Sequence, residues 1–478
     1  MQLTLREIAE VLRPAAGQVL EETLDTNAVT SGYSIDSRSL RPGNLFFAIP
    51  GPRFDGHEFV REALERGACG AVVNAVWARQ QAPLAGHTSQ RNWIEVQDTV
   101  AALQSLGHQV RTWWGGTVIA VTGSAGKTTT KEICAQVLSS KYRVYKSEGN
   151  LNNLFGVPLT LLRLETGAEA AVVELAMSAR GEIRTLARLA APDVGVVTNV
   201  NPVHLEFFSS IDDIGLAKRE LVEELDSHAL AVLNGDDARV AAFREHTAAQ
   251  VIHFGEKPGA DLQIRNIQSS PGGGSEFEVV WKSHSAFSCR LPLIGQHNIY
   301  NAAAAIAVGL HMDVDPPLIQ KALESIRPAP MRGELLKLTG GITVINDTYN
   351  SNPRALSEVV TTLSKMPGFK RKLVVAGEML ELGKESRHWH HECGREMAKS
   401  GIDFLLAVQG DAEAMAEGAR EAGMKSDRVQ FVKNSDEAGT HICRLANRGD
   451  LILFKGSRGV KMERALEALR QKFPLEVS

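Results

Sequence analysis

The sequence predicts an α/β chain of three domains: a central doubly wound parallel sheet carrying a phosphate loop, a smaller N-terminal α/β domain, and a C-terminal open α/β sheet. Three observations predict this. The 478 residues exceed one ordinary core and suggest roughly three domains. Apolar runs of strand length alternate with segments of helical period along nearly the whole chain. At one strand-to-helix junction, Val118 to Glu132 reads VIAVTGSAGKTTTKE. The expected domain boundaries are 1–111, 112–326 and 327–478.

Composition narrows the function classes. Hydrophobic residues are 44% and charged residues 23%, a globular balance. A formal net charge of −4 does not suggest a nucleic-acid partner, so any phosphate binding is local. Cys69, Cys134, Cys289, Cys393 and Cys443 are odd in number and never form a CxxC pair, which suits a reduced compartment. No apolar run has the length of a membrane span, and the opening MQLTLREIAEVL reads as an acid-bearing amphipathic helix, not a signal peptide. The expectation is a cytoplasmic protein, and a monomer.

In the first domain, SIDSRSLRPGNLFFAIPG (34–51) gives a polar turn and then a strand from Asn44 to Ile49. DGHEFVREALERGACGAVV (55–73) gives a helix with Phe59, Ala63 and Leu64 apolar, a stop at Gly67, and another strand. On α/β logic a ligand would meet the loop Gly51 to His57, which holds Arg53; a merely solvated loop fits the composition equally well.

The central domain opens on the phosphate loop. Thr117 to Val121 is a β-branched strand, the glycine turn aims backbone N–H groups at an anion, and the helix starting at Lys127 adds its unpaired N–H groups and positive dipole end. Lys127 suits outer phosphates and the Thr128 hydroxyl suits Mg²⁺. Val121 stands where the full Walker pattern has glycine, so the loop is the shorter GxxGKTT. The strands AAVVELA (170–176), DVGVVTNV (193–200) and LAVLN (230–234) follow, and ligands gather beyond the carboxyl ends of such strands. Glu174, the stretch Asn199 to His204, and the stretch Asn234 to Asp237 occupy those ends. A carboxylate ending an apolar run, as Glu174 does, faces either a cation or solvent, and the adjacent phosphate loop favours a cation. Spacing alone leaves Lys218, in DDIGLAKRELVEEL, an ordinary surface lysine.

SSPGGGS (269–275) separates two strand-like runs as a hairpin without chemistry. In LPLIGQHNIYNAAAAIAVGLH (291–311) a helix opens at a polar cluster, with Asn298 and Asn301 on one face at i, i+3, an arrangement that suits the edge of a base; helix capping explains one asparagine but not both. RPAPMRGE (327–334) joins to the third domain. Its first expected strand is ITVINDTYNSNP (342–353), with the polar cluster Asp347, Tyr349 and Asn350, and KLVVAGEMLELG, IDFLLAVQG and DLILFKGSRG repeat the pattern of a strand running into a glycine turn. HWHH (388–391) has no acids or cysteines at ligand spacing and reads as a solvated or interdomain helix rather than a metal site.

Taken in order, GSAGKTT, VELA, NPVHLEFF, the helix bearing Lys218, GQHNIYNAAAA, MRGE and NDTYNSNP resemble the Mur ligases of peptidoglycan synthesis, over nearly the whole chain. EGNLNNLFGVPLTLL, NDTYNSNPRAL, GEMLELGKES and KGSRGVKME are similar to the members that join D-alanyl-D-alanine to UDP-N-acetylmuramoyl-tripeptide. The DNPR motif typical of ligases that add the third residue is missing; SNPR at 351–354 belongs to the NDTYNSNP segment. Arg219 after Lys218 and Glu378 depart from residues common in the family, glycine and aspartate.

The resemblance implies a Rossmann-like third domain and a set of site residues. Gly123, Ser124, Ala125, Gly126, Lys127, Thr128 and Thr129 would bind ATP phosphates, Asn298 and Asn301 adenine, Asp347 ribose, and Arg332 phosphate. Thr128, Glu174, His204 and Lys218 would support two Mg²⁺ ions, with Lys218 as the lysine that the family often carboxylates; Lys127, His204, Lys218 and Arg332 would be the catalytic set. Ser37, Arg38, Gly51, Arg53 and Phe54 would lie at the uridine nucleotide, and Asn152, Asn153, Tyr349 and Asn350 at other parts of the substrates. The implied reaction runs through an acyl phosphate. Related ligases with another acceptor, including folate-glutamate ligases, and a nucleotide-regulated ATPase without ligation are the competing readings. SIDSRSLRPGNLFFAIPG disfavours the folate enzymes, and the complete set of metal and adenine positions disfavours the ATPase.

Overall fold

The computed structural model describes residues 1–16, 25–51, 54–81, 92–203, 206–269, 274–282 and 285–476. Three sheets take consecutive stretches of chain, each built on its own apolar cluster.

The first sheet runs β1 (Gly32–Ser34), β2 (Asn44–Phe47), β3 (Gly70–Asn74) and β4 (Trp93–Val96), all parallel and in sequence order. The amphipathic opening forms the helix Leu5–Ala16, with Leu5, Ile8 and Leu12 buried as a stripe of helical period. The helix Thr99–Trp114 starts where the Asp98 carboxylate accepts the Val100 and Ala101 N–H groups, and ends at Gly115 in a left-handed conformation. It ties the first unit to the second. Gly107 lets it approach the helix Gly156–Leu162 so closely that a Cβ there would lie 3.0 Å from Pro158 Cα, and Arg111 donates to Ala190 O at 2.9 Å and to Asp193 Oδ2 at 3.0 Å.

The second sheet contains β5 (Thr117–Thr122), β6 (Val144–Lys146), β7 (Ala170–Glu174), β8 (Val194–Val197), β9 (Leu230–Asn234), β10 (Gln250–Gly255), β11 (Leu262–Ser269), β12 (Ser275–Trp281) and β13 (Phe287–Leu291). Its order is β13-β12-β11-β10-β9-β8-β5-β7-β6. Strands β6 to β11 pair parallel, as expected; β12 and β13 add an antiparallel edge. The chain leaves β5 toward β6 and β7 on one side and returns to β8 on the other, so the end of β5 is a topological switch point. The alanine-rich helix Gln296–His311 packs on the helix Lys127–Leu138, its small side chains allowing close approach; a Cβ on Gly309 would lie 2.6 Å from Val137 Cγ1.

The third sheet comprises β14 (Glu334–Leu338), β15 (Ile342–Asp347), β16 (Arg371–Gly377), β17 (Phe404–Val408), β18 (Val429–Val432) and β19 (Asp450–Lys455), in the order β14-β15-β19-β16-β17-β18. Two differences from the sequence reading appear. The unit begins one strand earlier, with β14 antiparallel to β15, and β18 forms the opposite edge. Both are short edge strands with mostly half-buried residues, so neither carries the continuous apolar run of a central strand. The expected strand 342–353 stops at Asp347, after which Asn352 caps the helix Pro353–Lys365 by accepting the Ala355 N–H at 2.9 Å. Among the described residues no helix is long and apolar enough to cross a membrane.

Candidate active site

The phosphate loop is held from both sides. Gly123 has φ +147°, and a Cβ there would lie 1.9 Å from Thr198 Oγ1; Gly126 has φ +83°, and a Cβ there would lie 2.2 Å from Asn301 Oδ1. Glycine is therefore required for close approach as well as for backbone freedom. Behind the loop, Asn199 Oδ1 accepts the Ala125 N–H at 2.9 Å and its amide donates to Ala125 O at 3.1 Å. Ser124 Oγ accepts the Asn201 N–H at 2.9 Å and donates to Asn201 O at 3.1 Å. Asn199 and Asn201 fall in the strand-end stretch flagged in the sequence, but nothing local distinguishes them as loop supports. The Lys127 ammonium bends back to Gly123 O at 2.8 Å, where it covers the loop.

Glu174 ends β7 almost fully buried, 3% exposed. Its carboxylate accepts from Thr128 Oγ1 at 2.8 Å and from Asn152 Nδ2 at 2.8 Å, two neutral donors that satisfy it without neutralising it. Asn152 thus positions the acid. Asn153 caps the chain turn instead, accepting the Gly156 N–H at 2.9 Å.

Lys218, on the helix Ile211–Glu223, is 2% exposed and makes no hydrogen bond or ion pair with the described residues. Burial, followed by the charge of Lys127, pushes its amine well below the ordinary lysine value. Its helix is fixed from outside: Glu220 accepts the Gly181 and Arg184 N–H groups, and Arg184 pairs with Glu223 and Glu224, the latter at 2.9 Å. Arg219, the departure from the family pattern, faces Glu223 at 2.6 Å in this outer network. Lys127 is likewise held below its usual value, first by burial; Glu174 opposes the shift and Arg332 adds to it. Lys127 is therefore coupled electrostatically to Glu174, to Lys218 and to Arg332 of the third unit at the switch point.

On the third unit's side, the Arg332 guanidinium stacks 3.9 Å from the centre of the Tyr349 ring. Asp347 receives Lys455 Nζ at 2.5 Å, and the same ammonium donates to Asn350 O at 3.0 Å. The sequence motifs do not single out Lys455; like Glu174, it is a charge ending an apolar strand, which is the signal that marks it. Asn350 has an exposed side chain turned to its own chain, accepting the Ser351 N–H. Asn298 and Asn301 share one face as expected, and that face is turned to the loop: Asn301 donates to Asn298 Oδ1 at 3.0 Å and accepts from Thr130 Oγ1 at 3.2 Å, while Asn298 donates to Ile294 O at 2.8 Å.

In the first unit, Ser37 is buried with Oγ 3.4 Å from Glu62 Oε2, Arg38 is exposed and paired with Asp36 at 2.8 Å, Gly51 donates its N–H to Phe54 O at 3.0 Å, and Phe54 is 69% exposed. Arg53 and His204 lie outside the described residues. The histidine run supports a turn: the Nε2 atom of buried His390 accepts the Met379 N–H at 2.8 Å.

Comparison with known proteins follows the same three units. Residues 30–111 match the Mur ligase family catalytic domain, 121–309 the Mur ligase middle domain, and 331–458 the Mur ligase glutamate ligase domain. The UDP-N-acetylmuramoyl-tripeptide–D-alanyl-D-alanine ligase of Bacillus subtilis is 35% identical over 468 residues, 98% of each chain. This chain belongs to the Mur ligase family. The crystal structure of MurF from Acinetobacter baumannii superposes on this Mur ligase with a TM-score of 0.85, at 31% identity and over 97% of this chain and 98% of that one. MurF from Thermotoga maritima, solved in complex with ADP, gives a TM-score of 0.79 at 29% identity, over 93% of this chain and 98% of that one.

Proposed function

We propose that this Mur ligase joins D-alanyl-D-alanine to UDP-N-acetylmuramoyl-tripeptide at the expense of ATP, in the cytoplasmic synthesis of peptidoglycan precursors. The observation that carries the reading is the convergence of Lys127, Glu174, Lys218 and Arg332 at the end of β5, in a chain matched along its whole length by ligases of that name. The ADP bound to the Thermotoga relative supports a nucleotide at the loop.

The donors fit magnesium. One hydroxyl and one carboxylate beside a phosphate loop suit an ion that also takes phosphate oxygens. A bare buried amine is a poor ligand for it, but burial favours a neutral Lys218 that could add CO₂, and the resulting carbamate would supply oxygens to a second ion. When bound, Mg²⁺ would neutralise charge on the phosphates.

The tripeptide carboxylate attacks the γ-phosphorus of ATP and ADP leaves; the dipeptide amine then attacks the acyl carbon, phosphate departs and the amide forms. Two anions must meet in the first step, so Lys127 and Arg332 lower the repulsion while the loop N–H groups orient the phosphates. Thr128, Glu174 and Lys218, with His204 as the family resemblance implies, would hold the metal ions, and Asp347 with Lys455 would take the ribose. The first domain, 1–111, holds the uridine nucleotide through Ser37, Arg38 and the loop Gly51 to Phe54; the third, 327–478, closes over the 112–326 domain and keeps water from the acyl phosphate. The enzyme acts as a monomer. Phosphate release measured with each substrate omitted tests the reading: release that needs ATP, the tripeptide and D-alanyl-D-alanine together is expected. Release without an acceptor, or with a single amino acid in its place, overturns it.

A further inference from the structure

Both supports of the phosphate loop are themselves gripped by the third unit. On one side, Arg354, in the first turn of the helix Pro353–Lys365, donates through Nη1 to Asn201 Oδ1 at 2.7 Å. Asn201 is 3% exposed, and its own amide donates to Asn199 Oδ1 at 3.0 Å, the oxygen that also takes the Ala125 N–H. Arg354 is held for this contact by Glu358 one turn later, whose Oε1 accepts Arg354 Nε at 2.8 Å. On the other side, Ile294 is buried among Ile345, Leu356, Val360 and Leu363 of the third unit, and its carbonyl anchors Asn298, which holds Asn301 against Gly126. A loop carrying unpaired N–H groups binds phosphate best when its geometry is set beforehand. The second chain runs through Asn298 and Asn301, residues expected at the nucleotide; the first runs through an arginine that the proposed reaction does not use.

We infer that Arg354 is a positioning residue, which through Asn201 couples docking of the third unit to the nucleotide-ready shape of the phosphate loop. The inference rests on the nucleotide-binding part of the reading above. With the third unit docked, the guanidinium fixes the Asn201 amide, that amide fixes Asn199, and Asn199 fixes both polar groups of the Ala125 peptide. By linkage, nucleotide binding favours the docked arrangement to the same degree that docking favours nucleotide.

The test is ADP binding to the full chain by titration calorimetry, comparing wild type with Arg354→Ala, Arg354→Lys, Asn201→Ala and the double alanine variant. Arg354→Ala is expected to weaken ADP about tenfold, the order of one lost charge-assisted hydrogen bond, while the KM for the UDP-linked tripeptide stays within about twofold because that substrate is held by the first unit. Arg354→Lys restores part of the loss, and the double variant binds ADP no more weakly than the worse single one, as residues acting in series do. Arg354 is more than half exposed, so its variants fold even if Asn201→Ala does not, and they alone decide the outcome. Equal ADP affinity in wild type and Arg354→Ala overturns the inference and leaves the ligase reading standing, as does a parallel rise in both substrate constants. A wild type that binds no ADP overturns both.

Discussion

Individual side chains of this ligase are best understood by what surrounds them. Lys218 shows this most clearly, because spacing marked it as an ordinary surface residue and the fold buries it with no described partner. Burying an amine raises the cost of its charged form and so favours the neutral base that the proposed carbamate requires. Lys218→Ala is expected to lower turnover by at least about a hundredfold, the scale for removing a group that stabilises charge in the transition state. Added acetate or formate should recover part of the rate, since a small carboxylate can fill the space of the proposed carbamate. Absence of both this rescue and any bicarbonate dependence in the wild type would make Lys218 structural.

Elements set the positions at which such groups act. The phosphate loop keeps its turn because Gly126, at φ +83°, lies under Asn301. Gly126→Ala should destabilise the fold by about 1–3 kcal/mol in denaturant titration, through the left-handed backbone and the displaced amide. It should also weaken ADP binding; an unchanged midpoint and affinity would mean that the loop tolerates a wider turn. His390 does comparable work for the turn at Met379. A carbonyl can only accept, so the 2.7 Å contact with Ser386 O places the ring hydrogen on Nδ1, and Nε2 is free to take the Met379 N–H. Burial depresses the folded-state value below the ordinary 6.5. Between those two values the unfolded chain binds a proton that the folded chain does not, so this contribution is full above about pH 6.5 and is lost as pH falls toward the folded value. The unfolding midpoint of the wild type should therefore fall relative to His390→Gln as pH drops through that window. Parallel pH profiles would exclude the ring as the titrating group.

Across the whole molecule, function depends on how three separately built sheets are joined. The helix Thr99–Trp114 fastens the first to the second through Gly107 and Arg111, whereas the second meets the third through Ile294, Arg354 and the Glu206 N–H, which donates to Glu381 O at 3.2 Å. Ile294 is a single apolar anchor in the third unit's core, so Ile294→Ala should cost about 2–4 kcal/mol where the two units are docked. Nucleotide should then protect the chain less against proteolysis between residues 291 and 334; protection equal to wild type would show that docking does not depend on this residue.

Much of this architecture is legible in the linear chain. The phosphate loop, the strand ends that carry Glu174 and the asparagines, and the alanine-rich helix are local, because hydrophobic period, glycine turns and a lysine–threonine pair act over a few neighbouring residues. The edge strands β14 and β18 are not legible, since half-buried edges carry weak periodicity. Nor is the burial of Lys218, or the salt bridge that joins Lys455 to Asp347 across more than a hundred residues. The sequence by itself determined the fold class, the phosphate chemistry and the family. Only the tertiary structure decided which polar groups are left unpaired and which are spent on the loop, because desolvation and hydrogen-bond competition are settled by neighbours distant in the chain, as Asn201 and Arg354 are.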